Sequence, residues 1–555
     1  MQSPVVPSSL GLHSHCALDR SRLGGASFNT PEWRAPLHVG SGRAAAAPTS
    51  TRAALDWMLV IAACVTLWLL MRVVFFVGLT GSDDLHYMRF AALWDRKPVN
   101  HWEVRLLGNA LIALSMRLFG RNEIAAALPS LFASLALLGA VLYWCFANAT
   151  LWHAFWAGLL LAVLPIDVEA ATTISPYPLM VAFATIGTLA FLTAPESPRA
   201  RWLAAAALSL AVVTHLSAIY YVASLAAAAL VCDVRRFWRA ALATALTSIL
   251  FLVADMAVFQ LLYGDALCRF RASVGQSPID SPEVPLRLGG KLNATFFTWP
   301  VGQFLYSKAF GVSFCISLGW LAWRRRALPL QLRIVLTAGL VYWLWMSYGT
   351  QIPWAYRPFY RITRFWQPLT VLTVLAFACM MTTISRQWLR SVAGGGILGT
   401  CVLNLLASGS WGQNMGISRE LSGYARQRAE VRFVTDYHTL NEMYVLNEFA
   451  PLRNVVTLDA VRPSQLLDGR AVRVNAGEVG VGDAILVNPL NLTRTPHFAA
   501  FVGSHAGIAC YESTTGQRLI AALIPPLRGY EWSVRKPPAR VYLCANVDSG
   551  QSIGN

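Results

Sequence analysis

Charge is what this sequence is short of. Of its 555 residues only 13% are Asp, Glu, Lys or Arg, against about 25% in a soluble globular protein. That shortage argues against a soluble fold, and the 55% of hydrophobic residues and 20 tryptophans match a chain built for a bilayer. The same composition sets aside disordered, collagen-like and disulfide-scaffold chains. Lysine is scarcer still: 4 of the 45 basic residues, the other 41 being arginine, a skew that fits a GC-rich bacterial genome. No metal-type CxxC pair occurs among the ten cysteines. The net charge of +17 would suggest nucleic acid in a soluble chain, but in a membrane chain it is first a matter of loop charge and orientation.

What is present is a series of apolar runs. Residues 1–54 are rich in Ser, Pro, Ala and Gly without apolar periodicity and read as a disordered cytoplasmic tail; no secretory cleavage pattern precedes the first span. Apolar segments follow near 56–79, 124–146, 151–166, 178–194, 202–214, 217–232, 240–263, 301–322, 331–348, 366–384 and 391–409, which makes about eleven spans in a region running from 55 to 410. The 31 residues of 202–232 are many for one crossing and few for two, since a span takes about 20. Loop charge decides for two short helices turning at His215. Eleven arginines in four short loops (Arg199, Arg201; Arg235, Arg236, Arg239; Arg324, Arg325, Arg326, Arg333; Arg386, Arg390) then share one side with the N-terminus, as the positive-inside rule requires.

With the N-terminus inside, the loop 80–123, the turn Asp167–Tyr177, His215, the loops 264–300 and 349–365, and the C-terminal region all lie on the outer face. Residues 411–555 read as a small soluble α/β domain, with strand, helix and strand at 431–436, 438–449 and 454–458 and further short apolar runs ending in Arg540–Cys544. Cys510 and Cys544 share that domain and are in a position to pair in an oxidising compartment. The expected architecture is thus an α-helical multi-pass protein of the bacterial cytoplasmic membrane with its C-terminal domain outside.

The first outer loop opens Gly81-Ser82-Asp83-Asp84-Leu85-His86-Tyr87. Ser82 or Asp83 there serves either to cap the helix behind it, since carboxylates accept the free N–H groups of a first turn, or as a general base at the membrane surface. In the loop 349–365, Arg357, Arg361 and Arg364 are spaced i, i+4, i+7 and share a face if a helix starts at Pro358. Outside the membrane such a cluster runs against orientation bias. It suits a phosphate, for which arginine supplies paired donors, or else snorkels to headgroups within an aromatic belt of Trp354, Tyr356, Tyr360 and Trp366. Arg72 and Asp255 fall inside expected spans, where ionisable groups are costly.

Ser82-Asp83-Asp84-x-x-Tyr87-x-x-x-Ala91, then His101-Trp102-Glu103-x-Arg105-Leu106, Leu118-Phe119-Gly120 and Ala127-Leu128-Pro129-Ser130 resemble the first outer loop of GT-C membrane glycosyltransferases. The likeness is to the protein O-mannosyltransferase and aminoarabinose-transferase branch, and it is clear over about residues 56–230. It implies that Asp83 acts as the base, with Asp84 beside it and Tyr87 in the same motif. It also implies a second acid near Tyr177, where this chain departs, so that Asp167 or Glu169 would have to supply it. Arg105 and His215 fall where the family carries basic residues.

The implied function is an inverting transfer of a sugar from a polyprenyl-phosphate donor to a glycolipid, polysaccharide or protein acceptor on the outer face. Arg357, Arg361 and Arg364, with Arg105 and His215, would hold the departing phosphate. Besides donor, acceptor and membrane lipid no nucleic acid partner is expected. Neither a cofactor nor a metal is needed, although Asp83, Asp84 and Asp167 have the chemistry to meet on a divalent cation. The alternative is a secondary transporter or flippase of lipid-linked sugar, which would keep its charges near the bilayer midplane.

Overall fold

The computed structural model describes residues 51–94, 97–98, 100–274, 287–288, 291–292, a few positions between 297 and 323, 328–350, 359, 363–408, 413–458, 466–467, 471–480, 482–492, 494–504, 510–512 and 540–543. Ten helices fill its first half: α1 Thr51–Val74, α2 Asp83–Leu93, α3 Leu106–Phe119, α4 Glu123–Asn148, α5 Leu151–Val163, α6 Pro165–Thr172, α7 Tyr177–Thr193, α8 Pro198–Thr214, α9 Ala218–Tyr263 and α10 Cys268–Val274. Then come α11 Leu330–Tyr348, a 3-10 turn Thr363–Leu369 that runs into α12 Thr370–Thr383, and α13 Gln387–Ser408. Among the described residues six helical stretches are long and apolar enough to cross a membrane, or seven if the bent pair α5–α6 is one span. The protein is a multi-pass membrane protein.

Local chemistry explains the breaks. Pro165 stands at the first position of α6, where its missing N–H costs nothing, and α5 and α6 meet there at a 55° bend. The expected spans 217–232 and 240–263 form one run, α9, interrupted at Asp233, whose φ of −162° and ψ of 85° are not helical. Asp233 Oδ1 accepts the N–H of Arg236 at 3.1 Å, so a capping contact restarts the helix within the arginine cluster. The span expected at 301–322 lies largely outside the described residues.

Two buried ion pairs tie the helices together. Arg72 of α1 meets Asp167 of α6, whose Oδ2 also accepts Ser134 Oγ of α4 at 2.7 Å. Arg269 of α10 meets Asp255 of α9 at 2.8 Å and donates to Val213 O at 2.6 Å. Each of these four charges therefore has an opposite charge and hydrogen bonds, the condition under which burial is tolerated.

Beyond α13 come α14 Gln413–Gln427, α15 Tyr437–Leu446, α16 Pro489–Leu492 and α17 Pro496–Ser504, with strands β1 Phe433–Thr435, β2 Val455–Leu458, β3 Arg473–Val474, β4 Ala484–Val487, β5 Cys510–Glu512 and β6 Arg540–Leu543. They form a six-stranded sheet in the order β3-β2-β1-β4-β6-β5. β1 runs parallel to β2 and β4, with Phe433 opposite Val455 and Ala484, while β6 is antiparallel to β4 and β5. β1, β2 and β4 are buried at every position, as the continuous apolar runs of a two-sided parallel sheet require. Cys544 lies outside the described residues, so its pairing with Cys510 does too.

Candidate active site

Asp83 and Asp84 begin α2, one residue beyond Gly81 in its left-handed conformation (φ +75°) and the cap residue Ser82. Ser82 is the cap residue but its side chain makes no capping bond. Asp84, 3% exposed, instead turns back on the loop: it accepts the N–H of Thr80, Thr80 Oγ1 at 2.9 Å and the N–H of Ser82 at 2.7 Å. Burial raises the Asp84 pKa, an effect these hydrogen bonds oppose. Holding the turn together falls to Asp84, and Asp83 is left to face outward into the site.

Asp83 pairs with Arg364 of the 3-10 turn. Its burial would push the carboxyl up, but the positive charges of Arg364 and Arg105, then His101 and the Trp102 indole N–H, hold it below the usual carboxylate range. The segment carrying Arg105 is itself fixed. Asn100 Oδ1 accepts the N–H groups of Trp102 and Glu103 at 3.1 and 3.0 Å, and Asn109 Nδ2 donates to both of their carbonyls. Trp102 stacks on His86 with ring centroids 4.2 Å apart and meets His101 in a tilted contact at 3.9 Å; burial pushes the His101 imidazole down to about 4.

Tyr177, at the start of α7, is the hub of the site. The guanidinium of Arg105 lies 5.2 Å from the centroid of its ring and that of Arg364 5.7 Å, while the ring of His215 is 4.7 Å away. Arg105 also covers Tyr87 at 5.4 Å. The close approach of α3 to this point depends on Gly108, where a Cβ would come within 2.8 Å of Pro176 Cβ.

Around this hub, buried polar atoms lack hydrogen-bond partners. Among them are Arg105 Nη1, Arg364 Nε, His215 Nε2 and Tyr87 Oη. The His215 tautomer follows from its other nitrogen: Nδ1 accepts the N–H of Ser217 at 3.2 Å, so Nε2 carries the hydrogen of the neutral ring. Burial first, then the nearby Arg105 and Arg269, holds His215 well below its usual pKa. All four groups can donate, and a buried donor without an acceptor is costly unless a ligand completes it. The arrangement is that of an anion site with a carboxylate at its edge.

Of the residues singled out from sequence, the structure brings together Asp83, Arg364, Arg105, His215 and Tyr87. Asp167 is taken by Arg72 and Ser134, and Glu169 stands half-buried on α6. Arg357 and Arg361 lie outside the described residues; Arg364 sits on a 3-10 turn beginning at Thr363. Among the described residues no group of three or more His, Cys, Asp or Glu side chains is placed to hold a metal. The central place of Tyr177 was missed from sequence, although its departure from an acidic position marked it.

No family model and no curated protein matches the sequence. Solved structures do. ArnT from Cupriavidus metallidurans bound to undecaprenyl phosphate aligns with a TM-score of 0.53 at 13% identity, over 87% of this chain and 97% of that one. Its apo state aligns at 0.51 and 14%, over 83% and 96%. The chain shares the fold of these two structures. The oligosaccharyltransferase of Archaeoglobus fulgidus aligns more weakly, at 0.46 and 11% identity over 80% of this chain and 71% of that one. These likenesses concern the fold, and the chemistry rests on the site itself.

Proposed function

We propose that the protein is an inverting glycosyltransferase that uses a polyprenyl-phosphate-linked sugar at the outer face of the bacterial cytoplasmic membrane, with about eleven crossings and an α/β domain outside. The observation that carries this reading is the set of partnerless buried donors, Arg105 Nη1, Arg364 Nε and His215 Nε2, gathered around Tyr177 beside the Asp83 carboxylate. Support comes from the fold, since the similar ArnT structure holds undecaprenyl phosphate.

Asp83 takes the proton of the acceptor hydroxyl as the oxygen attacks the anomeric carbon. The bond from that carbon to the phosphate oxygen breaks, and its electron pair leaves on the lipid phosphate. Negative charge grows on that phosphate, where Arg105, Arg364 and the His215 Nε2–H stabilise it. Arg357 and Arg361 belong to the same clamp in this reading. Because Arg364 neutralises Asp83 at rest, a donor phosphate that draws Arg364 to itself raises the basicity of Asp83 when the substrate is in place. A phosphate monoester leaves without a general acid, so no metal is called for, and EDTA is expected to leave transfer unchanged.

Against a transporter reading, the buried charges pair within the helices, Arg72 with Asp167 and Arg269 with Asp255. The test is transfer of radiolabelled sugar from synthetic undecaprenyl-phosphate hexose and aminopentose donors to membrane acceptors. Asp83→Asn is expected to lower kcat by about 10²-fold or more, the usual weight of a general base. Arg364→Ala and Arg105→Ala should lower kcat/KM, while Asp167→Asn should lower it only as far as folding suffers. Full activity in Asp83→Asn, or no transfer by the wild type from any of these donors, would sink the reading.

A further inference from the structure

The C-terminal region presses a carboxylic acid against the loop that carries Asp83. Glu442 of α15 is 0% exposed. Its Oε2 accepts Ser418 Oγ of α14 at 2.5 Å, Asn491 Nδ2 of α16 at 3.2 Å and Asn488 Nδ2 at 3.5 Å. Its Oε1 lies over Gly81, where an added Cβ would come within 2.5 Å of it. Gly81 is two residues ahead of Asp83.

The contact is part of a continuous joint. Leu79, Leu85, Tyr87 and Met88 share one buried apolar cluster with Met415, Tyr444, Val445, Phe449 and Leu467. Arg89 Nε donates to Leu467 O at 3.1 Å, and Arg419 pairs with Glu123, whose carboxylate also accepts the N–H of Leu79. The ionisable groups facing Glu442 are Asp84 from α2 and Asp436 from the cap of its own helix. From α14 and the β4–α16 junction it meets Ser418, Asn488 and Asn491, while Arg419 is turned to Glu123.

We propose that Glu442 is a positioning residue for the transfer reaction: its carboxyl group seats the C-terminal region on Gly81 and so sets where Asp83 stands. The proposal rests on Asp83 being the base. Burial and the nearby Asp436 and Asp84 favour the neutral acid in the joint over the ionised one. Burial first, with Asp436 and Asp84 adding to it and the Ser418 and Asn491 hydrogen bonds opposing, pushes Glu442 up to about 8. An undocked glutamic acid titrates near 4.3 or so, at about the model-peptide value. The docked state therefore holds its proton more tightly. Docking is strongest below the undocked value, weakens by up to about tenfold per pH unit above it, and has lost this contribution once pH passes the docked value.

The test uses the full-length protein in nanodiscs and reads two things across a pH series spanning the docked value: transfer from a synthetic undecaprenyl-phosphate sugar, and hydrogen exchange of the backbone amides around Thr80, Ser82 and Asp84. In the wild type both protection and kcat should fall as pH rises towards about 8 and level off above it, with the donor KM little changed. Glu442→Gln keeps a neutral donor and acceptor there, so it should retain activity within about threefold at neutral pH and lose the alkaline fall. Glu442→Ala should loosen the loop at every pH. An alkaline fall in Glu442→Gln equal to that of the wild type, or wild-type protection and transfer in Glu442→Ala, overturns the proposal. Because protection is read without turnover, a chain that moves no sugar but shows the Glu442→Gln effect counts against the transferase reading while the Glu442 contact stands.

Discussion

Asp83 and Asp84 are adjacent and chemically identical, and their neighbours separate them. Asp84 accepts two backbone N–H groups and the hydroxyl of Thr80, while Asp83 is aimed at Arg364. Asp84→Ala is therefore expected to loosen the turn and cost about 1–3 kcal/mol, the weight of stranding buried donors, read as a lower unfolding midpoint in detergent. The depressed Asp83 pKa has a kinetic consequence: with its folded value below the ordinary one, the carboxylate is available at neutral pH and is lost only as pH falls through that depressed value. The acid limb of kcat/KM should thus lie below the usual carboxylate range, and Arg364→Ala should move it to higher pH. Asp167 differs from both because its partners are Arg72 and Ser134. Asp167→Ala leaves Arg72 buried without a counter-charge and should destabilise by about 3–5 kcal/mol, whereas joint replacement of Arg72 by Met and Asp167 by Leu should recover much of that loss. Thermal unfolding of the three proteins checks this.

At the scale of elements, the site is made where five places come together: the start of α2, the start of α3, the start of α7, the turn between α8 and α9 that carries His215, and the 3-10 turn before α12. Their contact depends on what is small. Gly108 lets α3 lie on Pro176, immediately before Tyr177. Gly108→Leu is expected to push Arg105 away from Tyr177 and lower kcat/KM at least about tenfold, with helix content by circular dichroism unchanged; proline is rigid and has no room to give. α9 shows the reverse case, an element longer than a single bilayer crossing, whose break at Asp233 falls inside its arginine cluster. About 20 residues suffice to span, so its 46 residues exceed one crossing.

For the whole molecule, orientation in the membrane is the statement that loop charge supports and labelling can check. A membrane-impermeant maleimide applied to intact cells should modify Ser82→Cys from outside and leave Arg199→Cys unmodified until the membrane is opened; both positions are exposed. The reverse pattern would invert the topology and place the site on the cytoplasmic side. The C-terminal region is joined to the candidate site through Glu442, Arg89 and Arg419.

Composition, apolar runs and loop arginines were enough to determine a multi-pass helical protein, the approximate ends of most helices, and the strand–helix–strand pattern of 431–458, because those depend on local hydrophobicity and its period. The acid pair, Arg105, Arg364 and His215 were legible as residues whose chemistry suits a phosphate and a hydroxyl. What only the tertiary structure decided is who meets whom. That Asp167 answers Arg72, that Tyr177 stands between two arginines and a histidine, and that Glu442 rests on Gly81 from far along the chain are contacts between distant segments. The sequence period places each residue on its own element and carries no record of which element packs against it.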